Sequence, residues 1–97
     1  MPQVRCRNGT IVEYKSVPCP KKYPTLTYDI EAALYCGDIE EGWTVRQVGE
    51  TYTEGKNLQY TDYAARKVLR YLETNGVPLP ESIKKEIHNG RRLGPRT

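Results

Sequence analysis

Polar and apolar residues alternate at the start of the chain in the pattern of a β-hairpin. The segment 3–7 reads Gln-Val-Arg-Cys-Arg, and a second alternating segment occupies 10–15. Asn8-Gly9 lies between them, and both residues of such a pair tolerate the positive φ angles of a type I′ turn. The pattern therefore predicts two antiparallel strands joined by a hairpin turn at Asn8-Gly9.

The middle of the chain gives mixed signals. Three prolines predict a loop over 16–24, because proline removes backbone donors and breaks helices. Apolar residues at i, i+3 and i+4 then predict a short helix near 28–36, which Thr27 would cap and Gly37 would end. The segment 43–48 reads Trp-Thr-Val-Arg-Gln-Val and alternates, so we expect a strand there and a short return strand after it.

The last third of the chain has clear helical periodicity. Four apolar residues at i, i+3, i+4 and i+7 predict a helix that Thr61 caps and Asn75-Gly76 ends. These residues are Ala65, Val68, Leu69 and Leu72. A second, shorter helix is predicted between Pro80 and Gly90, with Ile83 and Ile87 on its buried side.

Together these patterns predict a single α+β domain over residues 1–97, which is the length of one domain with a modest core. Residues 1–60 are expected to be mostly β, forming a small antiparallel sheet with a possible short helix. Residues 61–90 follow as a C-terminal helical hairpin, and 91–97 form a basic tail.

Charge is sorted along this chain. Residues 1–28 carry five bases and one acid, and residues 29–54 carry seven acids and one base. From Ala64 to the end there are eight bases and three acids, a pattern that the net charge of +3 hides. Such sorting suggests an electrostatically steered binding surface.

The two predicted C-terminal helices carry their bases opposite their apolar stripes. The candidate binding residues are Tyr63, Arg66, Lys67, Arg70, Lys84, Lys85, Arg91, Arg92 and Arg96. A cluster of like charges suits phosphate contacts, which supply most non-specific affinity for nucleic acid. We therefore expect a non-enzymatic protein that binds nucleic acid or a nucleoprotein complex. A solvated face, or one paired with the acidic middle of the chain, is the plainer interpretation.

The acidic middle provides an alternative function, that of an inhibitor or adaptor. Asp38, Glu40, Glu41 and the neighbouring Trp43 would then form the surface for a protein partner. Small size, abundant tyrosine and segregated charge are similar in style to phage-encoded inhibitors such as anti-CRISPR proteins, although no motif matches. No nucleophile elbow, P-loop or dinucleotide-binding motif indicates an enzyme.

Cysteine chemistry is the remaining question. Cys6, Cys19 and Cys36 could join His88 in a zinc site, but no pair has the close spacing usual in structural zinc sites. We therefore expect neither a metal nor another cofactor. The N-terminus has no apolar stretch of signal-peptide length, so the expected location is cytoplasmic and the thiols are expected to be reduced. A Cys6–Cys19 bridge is the alternative.

Overall fold

A β-hairpin followed by helices forms the fold in the computed structural model, which describes residues 3–53 and 58–93 and only the backbone of 58–60 and 89–93. The elements are β1 (Gln3–Arg5), β2 (Ile11–Glu13), α1 (Pro24–Cys36), α2 (Val45–Tyr52), α3 (Leu58–Thr74) and α4 (Glu81–Leu93). The predicted α+β class, with an N-terminal antiparallel sheet before a helical hairpin, is confirmed.

The hairpin forms where Asn8-Gly9 predicts it, but with a different turn. Val4 pairs with Val12 in the antiparallel register, and the Gly9 N–H donates to the Cys6 carbonyl at 2.9 Å. Gly9 has φ of 90°, whereas Asn8 stays on the negative side. A type I turn followed by a left-handed glycine fits this geometry, so the type I′ prediction is wrong. The strands are also shorter than expected.

Helix α1 begins earlier than the sequence predicts. Pro24 occupies its first turn, where a missing N–H costs nothing. Thr27 is therefore an interior residue rather than the cap, and its hydroxyl donates to the Tyr23 carbonyl at 2.7 Å. The end at Gly37 is as predicted, because the backbone N–H groups of Gly37 and Asp38 donate to carbonyls of the last turn.

Helix α2 replaces the strand expected over 43–48, and that prediction is wrong. The Thr44 hydroxyl accepts from the Gln47 N–H at 3.0 Å and caps the helix. Val45 and Val48, which suggested a strand, are fully buried on one side of α2, where it packs on α3. The return strand expected after them is wrong too, because α2 continues through it. Residues 1–60 are thus not mostly β.

The C-terminal helices agree with their predicted apolar stripes, with the predicted end of α3 at Asn75-Gly76 and with the predicted start of α4 at Pro80, but the start of α3 and the end of α4 differ. Helix α3 begins before Thr61, which is buried inside it, and α4 continues past Gly90. The core combines residues of α1 to α4: Ile30, Ala33, Val45, Val48, Ala65, Val68, Leu69, Leu72, Ile83 and Ile87. Across the described ranges, none of the helices has the length and apolar character needed to cross a bilayer.

A disulfide joins the hairpin to the end of α1. Cys6 and Cys36 are bonded, with their Cα atoms 5.6 Å apart, while Cys19 is free and exposed. The expectation of reduced thiols is therefore wrong, and so is the Cys6–Cys19 alternative. The bond also takes two of the four residues of the candidate zinc set. Residues 3–53 and 58–93, so far as they are described, hold no group of three metal-binding side chains.

A buried carboxylate fixes the proline-rich loop. Glu31 on α1 is fully buried and accepts hydrogen bonds from the Ser16 hydroxyl and the Val17 N–H, both at 3.0 Å. A buried carboxylate is stable only when such donors satisfy it. Glu31 therefore holds the start of the loop against α1.

Candidate nucleic-acid interface

The outer face of α3 brings part of the predicted binding set together. Tyr63, Arg66, Lys67 and Arg70 follow the i, i+3, i+4, i+7 spacing and line one depression of about 280 Å³. The Lys67 ammonium lies 5.4 Å from the centre of the Tyr63 ring, within cation–π range. Tyr63 is 51% exposed, so part of its side chain is accessible to a stacking partner.

Arg66 is already engaged within the protein. Its guanidinium lies 3.9 Å from the Asp62 carboxylate and 3.6 Å from that of Glu86, and it donates to the Glu86 carbonyl at 3.3 Å. Arg66 thus links α3 to α4. Lys67 and Arg70 have no carboxylate partner among the described side chains, so they are the available cations of this face.

Lys84 and Lys85 of α4 are not part of this depression. Lys84 is 3.9 Å from the Glu81 carboxylate. His88 contacts the Glu73 carboxylate at 3.0 Å. The remaining predicted bases lie outside the part of the chain that the structure describes, which omits the side chains of Arg91 and Arg92 and all of Arg96.

A second group of bases adjoins the face and is absent from the predicted set. A cavity of about 430 Å³ lies between the loop before α1 and the side of α3. Its lining residues are Cys19, Pro20, Lys21, Lys22, Tyr23, Thr27, Lys67, Val68 and Tyr71. Lys67 borders both the cavity and the α3 depression. The sequence places Lys21, Lys22 and Tyr23 in a loop, and only tertiary packing brings them to α3.

The acidic segment is partly used by the fold itself. The Glu41 carboxylate accepts from the backbone N–H groups of Glu81 (2.7 Å) and Ser82 (2.9 Å), so it caps α4. These two hydrogen bonds, the one from Glu81 first, hold the pKa of Glu41 below its ordinary value. Trp43 is half-buried against the core.

The other two acids of the segment differ from each other. Asp38 is half-buried. The pKa of Tyr52 is raised mainly by the burial of Tyr52 and, to a smaller extent, by the negative charge of Asp38. Glu40 is exposed. The four candidate residues for a protein partner therefore do not share one environment.

Comparison of the chain with protein-family models, curated proteins and solved structures found no match.

Proposed function

We propose that this protein is a non-enzymatic binding protein that holds nucleic acid, alone or in a nucleoprotein complex, on the outer face of α3. The observation that supports the proposal is the depression shared by Tyr63, Arg66, Lys67 and Arg70. Two of its cations have no carboxylate partner in the described part of the chain, and an exposed ring lies beside them. Cations of this kind attract phosphates, and a ring of this kind stacks on bases.

Salt dependence tests the proposal directly. Binding of a fluorescein-labelled oligonucleotide of mixed sequence is measured by anisotropy at several salt concentrations. Each phosphate contact contributes about 0.7 to the log–log salt slope for single strands and about 0.9 for duplexes. Replacing Lys67 or Arg70 by alanine should lower the slope by about one contact each, and by a similar amount on every sequence.

Arg46→Ala is the matched control. Arg46 is an exposed base on α2, 3.1 Å from the Glu50 carboxylate, and it does not line the α3 depression. Its removal changes net charge equally and should leave the slope unchanged. If Arg46→Ala and Lys67→Ala weaken oligonucleotide binding equally, the binding depends on overall charge and not on the α3 face, which contradicts the proposal. Absence of oligonucleotide binding at low salt would also refute the proposal.

The alternative of a protein inhibitor or adaptor has less support, because Glu41 already caps α4 and Trp43 packs against the core.

The disulfide is an observation that opposes the expected cytoplasmic location. Disulfides persist in oxidising compartments and are rare in the cytosol, so the Cys6–Cys36 bond favours an oxidising environment. Counting free thiols in protein isolated under acid quench from its host compartment tests this: one thiol supports the oxidising location, three the cytoplasmic one.

A further inference from the structure

The cavity beside α3 has the dimensions and lining of a ligand site. Its volume of about 430 Å³ falls within the range of about 300–1,000 Å³ typical of small-molecule pockets. Two tyrosine rings, Tyr23 and Tyr71, and the apolar side chains of Pro20 and Val68 form part of its wall. Flat aromatic ligands bind well between surfaces of this kind.

The wall of the cavity is fixed before any ligand arrives. The Tyr71 hydroxyl donates to the Pro18 carbonyl at 2.7 Å, which ties the loop to α3. Glu31 holds the start of the same loop, and Tyr23 at its end begins α1 in a left-handed conformation with φ of 55°. A site held on both sides loses little entropy when a ligand binds.

Charge identifies the ligand as an anion. Lys21, Lys22 and Lys67 line the cavity, and the nine residues that line it in the described part of the chain include no carboxylate. A ligand that satisfies both the rings and the lysines carries an aromatic base together with phosphate. Because Lys67 also borders the α3 depression, a strand bound on α3 would extend directly into the cavity.

We infer that the cavity receives one unstacked base of a single-stranded nucleic acid, with the flanking phosphates on Lys21, Lys22 and Lys67. This inference rests on the proposed function and specifies its ligand. Bases in a duplex are paired and stacked, so only a single strand can present one without prior unpairing. Stacking of one base on a ring is worth about a 5- to 150-fold gain in affinity, so single strands should bind more tightly than duplexes by a factor in this range.

Alkylation of the Cys19 thiol can report whether the cavity is occupied. Cys19 lines the cavity and is the free cysteine of a chain whose other two cysteines are bonded to each other. The rate of its alkylation by iodoacetamide, a neutral reagent, is measured without nucleic acid, with a ten-nucleotide oligo(dT), and with a duplex of the same length. Both nucleic acids are used at saturating concentration. Oligo(dT) should slow alkylation several-fold, whereas the duplex should leave it nearly unchanged.

A pair of lysine variants separates the cavity from general charge. Lys22 lines the cavity, whereas Lys15 is an exposed lysine outside it. Lys22→Ala should weaken oligo(dT) binding by about 1.4- to 5-fold, the range of an exposed charge pair, and reduce the shielding of Cys19. Lys15→Ala should do neither.

The outcomes distinguish this inference from the function on which it rests. Tighter binding of oligo(dT) together with shielding of Cys19 supports the inference. Binding of oligo(dT) without shielding, or equal affinity for duplex and single strand, overturns it and leaves the α3 face as the binding surface. If neither nucleic acid binds, both the inference and the proposed function are refuted.

Discussion

Reduction of the Cys6–Cys36 bond should cost this protein a large part of its stability. The bonded residues are 30 positions apart, and closing a loop of that length in the unfolded chain corresponds to about 3.6 kcal/mol at room temperature. Domains of ordinary size are stable by only about 5–15 kcal/mol in total. The bond therefore contributes between a quarter and most of the free energy of unfolding.

Urea unfolding followed by circular dichroism, with and without reductant, measures this contribution. With a slope of about 1–3 kcal/mol per molar urea, the midpoint should fall by roughly 1–4 M on reduction. Cys19→Ser is the control, because that thiol is exposed and unbonded, and it should leave the oxidised midpoint unchanged.

Two results would refute the reasoning. If reduction releases two further thiols but leaves the midpoint in place, loop closure does not stabilise this fold. If protein isolated without reductant already titrates with three thiols, the bond itself is absent.

Two further changes test the packing and the caps. Gly49→Ala would place a Cβ 2.6 Å from the Thr61 methyl and 2.8 Å from the Thr61 backbone oxygen. Thermal unfolding should therefore show that the free energy of unfolding falls by about 1–3 kcal/mol, although alanine has the better helix propensity. Thr51→Ala, at an exposed position of the same helix, is the control and should leave stability unchanged. The lowered pKa of Glu41 means that its contribution to stability is complete above its ordinary pKa of 4.5 and is lost as the pH falls through the lowered folded-state pKa. An acid titration of stability should therefore be less steep for Glu41→Gln than for the wild type, and an unchanged titration would show that the cap contributes nothing.

Local sequence signals were enough to predict the hairpin and the two C-terminal helices. Asn8-Gly9 and the stripe from Ala65 to Leu72 depend only on neighbouring residues, and both are found in the structure. The strand predicted over 43–48 is wrong because Val45 and Val48 have a high propensity for strands, while their spacing of three residues also places them on one face of a helix. The Thr44 cap and the packing on α3 decide between the two, and the latter is a tertiary effect.

In the candidate site, too, some features could be predicted from local sequence and others depend on tertiary packing. The spacing of Tyr63, Lys67 and Arg70 places them on one helical face without knowledge of the fold. The pairing of Arg66 with Glu86, and the approach of Lys21 to Lys67, join residues far apart in sequence. Neither a helical period nor local charge contains that information, so the cavity could be found only in three dimensions.

Glu41 caps the start of α4, and a residue of α4 in turn caps the start of α2. The Glu86 carboxylate accepts from the Val45 N–H at 2.9 Å, at the first turn of α2. Each helix start therefore gains a cap from a residue some forty positions away, in addition to the local Thr44 cap on α2, and these two distant caps form only when the two segments have met. Such mutual dependence makes folding cooperative, since a partly folded chain loses both caps together. A peptide cut out around α3 and α4 would lack this support, so we expect the outer face of α3 to keep its structure only in a chain that also contains the segment around Glu41.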